Sequence, residues 1–217
     1  MHIFLDLDGT VTESRGEISY EMIEMLQHLK LKNDIVIISG AERERMMKQL
    51  LGLDVTLMAQ SGNDTSLWKR TLTHNEKKKI LTHIRKIIGD ISKPNLIDDR
   101  GCQIALSLVG HDAPVEEKKK FDPEGTIRKR ILKDNPFLSR TLDCRIAGST
   151  CLDYTRKDGT KGKNIKRYMK RMDWKKKDCI FFGDKLQKGG NDESVKGVIP
   201  VVSVDSPNDL MLKLKTI

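Results

Sequence analysis

The chain has 217 residues, 37% hydrophobic and 33% charged, enough for one α/β domain or a core carrying one inserted subdomain, and it is no coiled coil, collagen or disulfide mini-protein. No apolar run approaches the roughly 18 residues of a membrane span, and the four cysteines, Cys102, Cys144, Cys151 and Cys179, lack C-x-x-C spacing and read as reduced structural thiols. The net charge of +9 favours anionic partners, either nucleic acid or small phosphorylated molecules, and it is uneven: residues 62–157 carry +7, residues 1–61 carry −4 and residues 158–217 carry +6.

The opening run His2 to Leu7 reads as a buried strand. It leads straight into acidic residues, without a basic start or a small-residue cleavage site, so it is not a secretion signal and a cytoplasmic location is expected. Ser19 caps a helix with Met22, Ile23, Leu26 and Leu29 on one face. A second buried strand, Asp34 to Ile38, ends at Ser39-Gly40. Arg43 to Leu51 predicts a helix stopped by Gly52, and Val55 to Ala59 a third strand. Strands alternating with helices imply a parallel sheet.

The rhythm then changes. Leu67-Trp68 predicts a short strand, and Asn75 a cap for a helix striped by Ile80, Leu81, Ile84, Ile87 and Ile88. Leu96 to Asp98 and Gln103 to Val109 predict a hairpin through Asp99-Arg100-Gly101. A helix from about Thr126 to Leu132 and a strand pair within Arg145 to Tyr154 follow. From Lys161 the parallel pattern resumes: a basic helix, a strand Cys179 to Phe182, a loop Gly183 to Asp192, a strand Val198 to Val202 and a short helix after Pro207. The fold class expected is α/β, a Rossmann-like parallel-sheet core from residues 1–61 and 158–217, with an inserted α+β cap domain at residues 62–157.

In an open parallel sheet the ligand crevice lies at the carboxyl ends of the strands, and the chemistry-bearing residues fall there. Asp6 and Asp8 close the first strand as an i, i+2 pair suited to nucleophile and general acid/base around one phosphoryl group. Ser39 closes the second strand as a hydroxyl donor. Asp184, Asn191 and Asp192 follow the strand Cys179 to Phe182 as hard oxygen ligands for Mg²⁺. Lys161 offsets the charge that carboxylates and a phosphate bring together.

These residues resemble the four motifs of the haloacid dehalogenase superfamily, in order Asp6-x-Asp8-Gly9-Thr10, Ser39-Gly40, Lys161-Gly162 and Gly183-Asp184-x7-Asp192. The resemblance implies that Asp6 attacks phosphorus to form an aspartyl phosphate and that Asp8 protonates the leaving alkoxide and later activates the acceptor. Ser39 and Lys161 would hold the phosphoryl oxygens. Mg²⁺ would sit on Asp6, the backbone carbonyl of Asp8 and Asp184, supported by Asn191 and Asp192.

The insertion resembles the α+β cap of the superfamily's sugar-phosphate branch. Phe182-Gly183-Asp184-Lys185-x3-Gly189-Gly190-Asn191-Asp192 and the segment Ile97-Asp98-Asp99-Arg100 through Ser107-x-x-Gly110 are similar to eukaryotic-type phosphomannomutases. That likeness implies substrate contacts at Arg15, Arg100 and Asp153, with His111 and Lys118 standing where the family has arginines and Cys151 where it has a serine. A shorter cap, the weaker clamps His111 and Lys118, and the phosphatase form of Ser39-Gly40 favour hydrolysis of a small phosphorylated sugar. The alternative is phosphomannomutase-like interconversion of hexose 6-phosphate and 1-phosphate. A rival of another class is a basic nucleic-acid-binding protein, which the scarcity of aromatics and of known nucleic-acid motifs weighs against. The expected partners are the sugar phosphate, no membrane, and at most a second copy of the chain, as a monomer or homodimer.

Overall fold

Alternating strands and amphipathic helices open the chain: β1 (His2–Leu5), α1 (Tyr20–Lys30), β2 (Asp34–Ile38), α2 (Arg43–Gln49) and β3 (Thr56–Met58). The middle forms α3 (His74–Ile88), β4 (Ile97–Asp99), β5 (Ile104–Ser107), α4 (Val115–Phe121), α5 (Thr126–Asp134), β6 (Leu142–Ala147) and β7 (Cys151–Arg156). The chain closes with α6 (Lys161–Met172), β8 (Cys179–Gly183), β9 (Val201–Ser203) and α7 (Pro207–Leu214). This computed structural model describes residues 1–91 and 95–217 and divides into two units, Met1–Lys69 with Asp158–Ile217, and Arg70–Lys157. No helix among the described residues is long and apolar enough to cross a membrane.

The first unit is built on a five-stranded parallel sheet of order β3-β2-β1-β8-β9, with Leu5 level with Ile37 on one side and Phe182 on the other. Side chains alternate across a strand. Ile3 and Leu5 therefore pack with Met22, Leu26, Ile37 and Leu210 on one face, while Phe4 packs with Val36, Ile38, Ile165, Tyr168 and Phe181 on the other. Burying each such side chain stabilises the fold by about 1.5–3 kcal/mol. Ser19 caps α1 as expected, its Oγ accepting from the Met22 N–H at 3.2 Å.

Residues 62–69, expected in the insertion, belong to this unit. Leu67-Trp68 is not a strand. The Thr65 hydroxyl accepts from the Leu67 and Trp68 amides at 3.0 and 3.1 Å, and this turn sends Trp68 edge-on against Tyr168. The last strand begins later than expected, at Val201, because Pro200 has no N–H to give a ladder.

The second unit is a four-stranded antiparallel sheet of order β4-β5-β7-β6. One face is its core, where Ile104, Leu106, Leu142, Leu152 and Tyr154 meet Ile80 and Ile84 of α3. The other face carries the row Asp98, Ala105, Asp153 and Arg145 across all four strands. Thr73, not Asn75, caps α3, because Thr73 and Glu76 form a reciprocal capping box three residues apart. Helix α4 was not expected: Val-Glu-Glu-Lys-Lys-Lys-Phe buries no residue and so has no apolar stripe.

Two arginines tie this unit together. Arg128 is buried, with its Nε on Asp122 Oδ2 at 2.8 Å and its Nη1 on the Ala147 and Gly148 carbonyls at 3.0 and 2.8 Å. Arg156, at the end of β7, grips both oxygens of Glu76 at 2.8 and 2.5 Å and donates to the Arg70 and Thr71 carbonyls at 3.0 and 2.8 Å.

Candidate active site

Asp6 follows β1 directly, its N–H on the Phe182 carbonyl at 2.9 Å, so the central strands deliver its side chain into the buried end of the sheet. The turn that follows needs Gly9: φ is +86°, and a Cβ there would stand 2.6 Å from Asp184 Oδ2. Lys161 opens α6, capped by Thr160. Gly162 next to it allows the helix to press against the Glu193–Val195 turn, where any Cβ would lie 1.7 Å from the Ser194 carbonyl oxygen. That contact brings the Lys161 ammonium to Asp192 Oδ1 at 2.6 Å, and the same ammonium donates to Asp6 Oδ1.

Asp6, Asp184 and Asp192 each offer a carboxylate oxygen within 4.8 Å of the others. Burial is the main force on Asp6 and raises its pKa; Lys161 opposes this, Asp192 and Asp184 add to it, and the result is about 7. Burial also works against the charge on Lys161, but Asp6 and Asp192 outweigh it and hold its pKa above the usual range. Asp184 is met by Lys185 Nζ at 3.0 Å. Asp6 Oδ2, Asp184 Oδ1 and the Thr10 hydroxyl are buried without a hydrogen-bond partner among the described residues. Buried carboxylate oxygens left unbonded among three acidic groups are a donor set that fits a hard divalent cation.

The remaining expected residues of the first unit fall into three settings. Ser39 is buried at the same end of the sheet, its Oγ accepting from the Ala41 amide at 3.1 Å, which leaves its O–H free to donate. Asp8 stands apart from the three-carboxylate cluster: its Oδ1 accepts from the Arg15 backbone N–H at 2.7 Å and from Arg45 and Gln49 of α2 at 3.0 and 3.2 Å. The Arg15 side chain and Asn191 are exposed.

Arg100, His111, Lys118 and Asp153 gather in the second unit. Arg100 Nε binds Asp98 Oδ2 at 2.6 Å. Burial raises the pKa of Asp153, while the nearby Arg100 and His111 counter it and Asp98 adds to it. His111 Nε2 lies 3.3 Å from the Ala105 carbonyl, and Lys118 Nζ donates to the His111 carbonyl at 2.5 Å. The sequence reading missed Arg45, Gln49 and Asp98. The only signal for the α2 pair was their spacing of four on a predicted helix, which does not say what the helix faces.

Residues 22–217 match the family described as eukaryotic phosphomannomutase. Similar proteins include the phosphomannomutases of Triticum aestivum (26% identical over 236 residues, 98% of this chain and 93% of that one) and Encephalitozoon cuniculi (28% over 239 residues, 98% and 91%). Among solved structures, an IMP-bound IMP-nucleotidase of Plasmodium falciparum aligns with a TM-score of 0.68 at 17% identity, over 99% of this chain and 67% of that one. A phosphatase of the HAD superfamily from Bacteroides thetaiotaomicron aligns at 0.66 and 15%, over 99% and 94%. At such identities the structural likeness concerns the fold: a Rossmann-like core with an inserted cap. The chain belongs to the eukaryotic phosphomannomutase family, and its fold is shared with a haloacid dehalogenase superfamily phosphatase.

Proposed function

We propose that this protein is a phosphomutase that moves a phosphoryl group between the 6- and 1-hydroxyls of a hexose, through an aspartyl phosphate on Asp6. The observation that carries the reading is the buried Lys161 ammonium shared by Asp6 and Asp192, which leaves Asp6 Oδ2 unbonded. Asp6 is the nucleophile, oriented by the Lys161 ammonium on Oδ1. Asp8 exchanges the proton with the sugar oxygen. Ser39 and Lys161 orient the phosphoryl oxygens, since this kind of transfer works mainly by positioning and charge neutralisation.

Asp6, Asp184 and Asp192, with the Asp8 carbonyl and the neighbouring Asn191, are the residues that would hold Mg²⁺. The bound ion supplies neutralisation of the charge gathered around the reacting phosphoryl group. In the second unit, Arg100, His111, Lys118 and Asp153 read the sugar and its distal phosphate, and Arg15 adds a cation on the first unit.

The mutase reading displaces hydrolysis as the leading one because the similar curated proteins carry the name phosphomannomutase. One observation favours hydrolysis as a second reading: Lys118 is already bound to the His111 carbonyl, so the two residues that replace arginines offer a poorer grip on a distal phosphate. The test supplies hexose 6-phosphates and 1-phosphates, with Mg²⁺ and a catalytic amount of hexose 1,6-bisphosphate. Isomer formation well ahead of phosphate release supports the mutase. Stoichiometric phosphate release without isomer overturns it in favour of a phosphatase.

A further inference from the structure

Asp8 is held unevenly. Its Oδ1 takes three donors, the Arg15 N–H at 2.7 Å, Arg45 Nη2 at 3.0 Å and Gln49 Nε2 at 3.2 Å, whereas among the described residues Oδ2 takes only the second arm of Arg45 Nη2 at 3.1 Å. A carboxylate has about four acceptor sites, two on each oxygen, so Oδ1 is saturated and Oδ2 has room for one more partner. Arg45 and Gln49 lie one turn apart on the same face of α2, and they are locked to each other: Arg45 Nε donates to Gln49 Oε1 at 3.0 Å. That bond fixes which end of the amide is which, leaving Nε2 for Asp8, with the Gly16 carbonyl at 3.1 Å as its other support. Gln49 is buried, and its main-chain carbonyl accepts from the Ile18 amide at 2.8 Å, tying α2 to the loop that follows Asp8.

We propose that Arg45 and Gln49 are positioning residues for phosphoryl transfer, clamping Asp8 through Oδ1 so that Oδ2 is the oxygen that gives and recovers the proton. The proposal rests on the roles of Asp6 and Asp8 given above. In the first half-reaction the Asp6 oxygen bonds to phosphorus, the bond from phosphorus to the sugar oxygen breaks, and the proton on Asp8 Oδ2 passes to that oxygen. In the second, an incoming hydroxyl oxygen bonds to phosphorus, its proton goes to Asp8 Oδ2, and Asp6 departs as a carboxylate. General acid/base help of this kind contributes about 10²- to 10⁴-fold, and a carboxylate free to swing forfeits much of it.

The experiment uses the full chain with Mg²⁺ and compares two esters. A hexose phosphate has a poor leaving oxygen that needs the proton; p-nitrophenyl phosphate has one that does not. For Arg45→Met, kcat on the hexose phosphate is expected to fall about 30-fold with KM within about 2-fold, while the pre-steady-state burst of nitrophenolate keeps its rate within about 3-fold. Gln49→Leu should show the same split with a smaller fall. Arg45→Lys keeps the charge and the apolar stem, so it is the second variant should Arg45→Met unfold, and it should recover much of the hexose phosphate rate. An equal loss with both esters, or no loss with either, overturns the clamp. A wild-type chain that gives no burst with the aryl ester overturns instead the reading of Asp6 on which the clamp depends.

Discussion

The two units treat charge differently. In the first, Asp6, Lys161 and Asp192 are each at most 3% exposed at the side chain, and their buried carboxylate oxygens are not all bonded. In the second, the charged face of the sheet stays partly wet: Arg100 pairs with Asp98 at 22% and 35% exposure, and Arg145 with Asp143 at 61% and 30%. A buried and incompletely satisfied cluster is costly unless something completes it, so each member is constrained in type and place. An exposed pair such as Arg145 with Asp143 tolerates exchange of one cation for another at little cost. The buried cluster of the first unit is thus the more tightly constrained of the two charged regions.

Substitutions can break this contrast, and the largest effect belongs to the buried cluster. Asp6→Asn should reduce turnover of any phosphate ester by at least about 10⁴-fold while the far-ultraviolet circular dichroism stays native, because an amide cannot form the acyl phosphate. A residual rate above about a hundredth of wild type removes Asp6 from the nucleophile's role.

Lys161→Met comes next. It strands Asp6 and Asp192 as buried carboxylates with no counter-charge, and urea unfolding should show a loss of about 3–5 kcal/mol. A loss below about 1 kcal/mol, the value of an exposed ion pair, shows that water reaches the cluster.

On the cap face the expected change is milder. Arg100→Ala removes a charged hydrogen-bond donor, so kcat/KM for hexose phosphate interconversion should fall about 10- to 100-fold, with cleavage of p-nitrophenyl phosphate nearly unchanged. Equal effects on both substrates show that Arg100 supports the fold of the unit and does not read the sugar.

The smallest effect concerns Glu76. Its hydrogen bond from Arg156 leads a set of interactions that brings its pKa down from 4.5 to about 2. Between those values the unfolded chain binds the extra proton, so the stabilisation is complete above about pH 4.5 and disappears as pH falls through about 2. Glu76→Gln should flatten that acid limb by about 1 kcal/mol, since a pair near the surface is screened, and added salt should shrink the difference. An unchanged limb assigns the acid sensitivity to other carboxylates.

The core was largely legible in the sequence for the same reason that it is constrained. Asp6, Asp8, Ser39, Lys161 and Asp184 sit just after apolar strands or at the start of a striped helix, where periodicity marks both the element and its end. What could not be read were contacts decided by tertiary packing. Nothing local says that one ammonium at Lys161 serves two carboxylates 155 and 31 residues away. Nor does the short cationic helix α2 announce that Arg45 and Gln49 turn toward Asp8. In the cap, α4 escaped because a helix that buries nothing leaves no period, and the α3 cap was misplaced because Thr73 and Asn75 are both good caps until the reciprocal bond from Glu76 decides between them.

The bonds from Arg156 to the Arg70 and Thr71 carbonyls make the inserted segment a stapled loop, whose outgoing and returning strands of chain are fastened side by side before they leave it. Closing such a loop costs only slightly more as it lengthens, about 0.6 kcal/mol per doubling. Residues can therefore be gained or lost between β5 and β6 while the distance between the two crossing points stays the same. A lineage with this neck can change the length of the second unit in the middle of its sequence, and the parallel sheet of the first unit needs no compensating change.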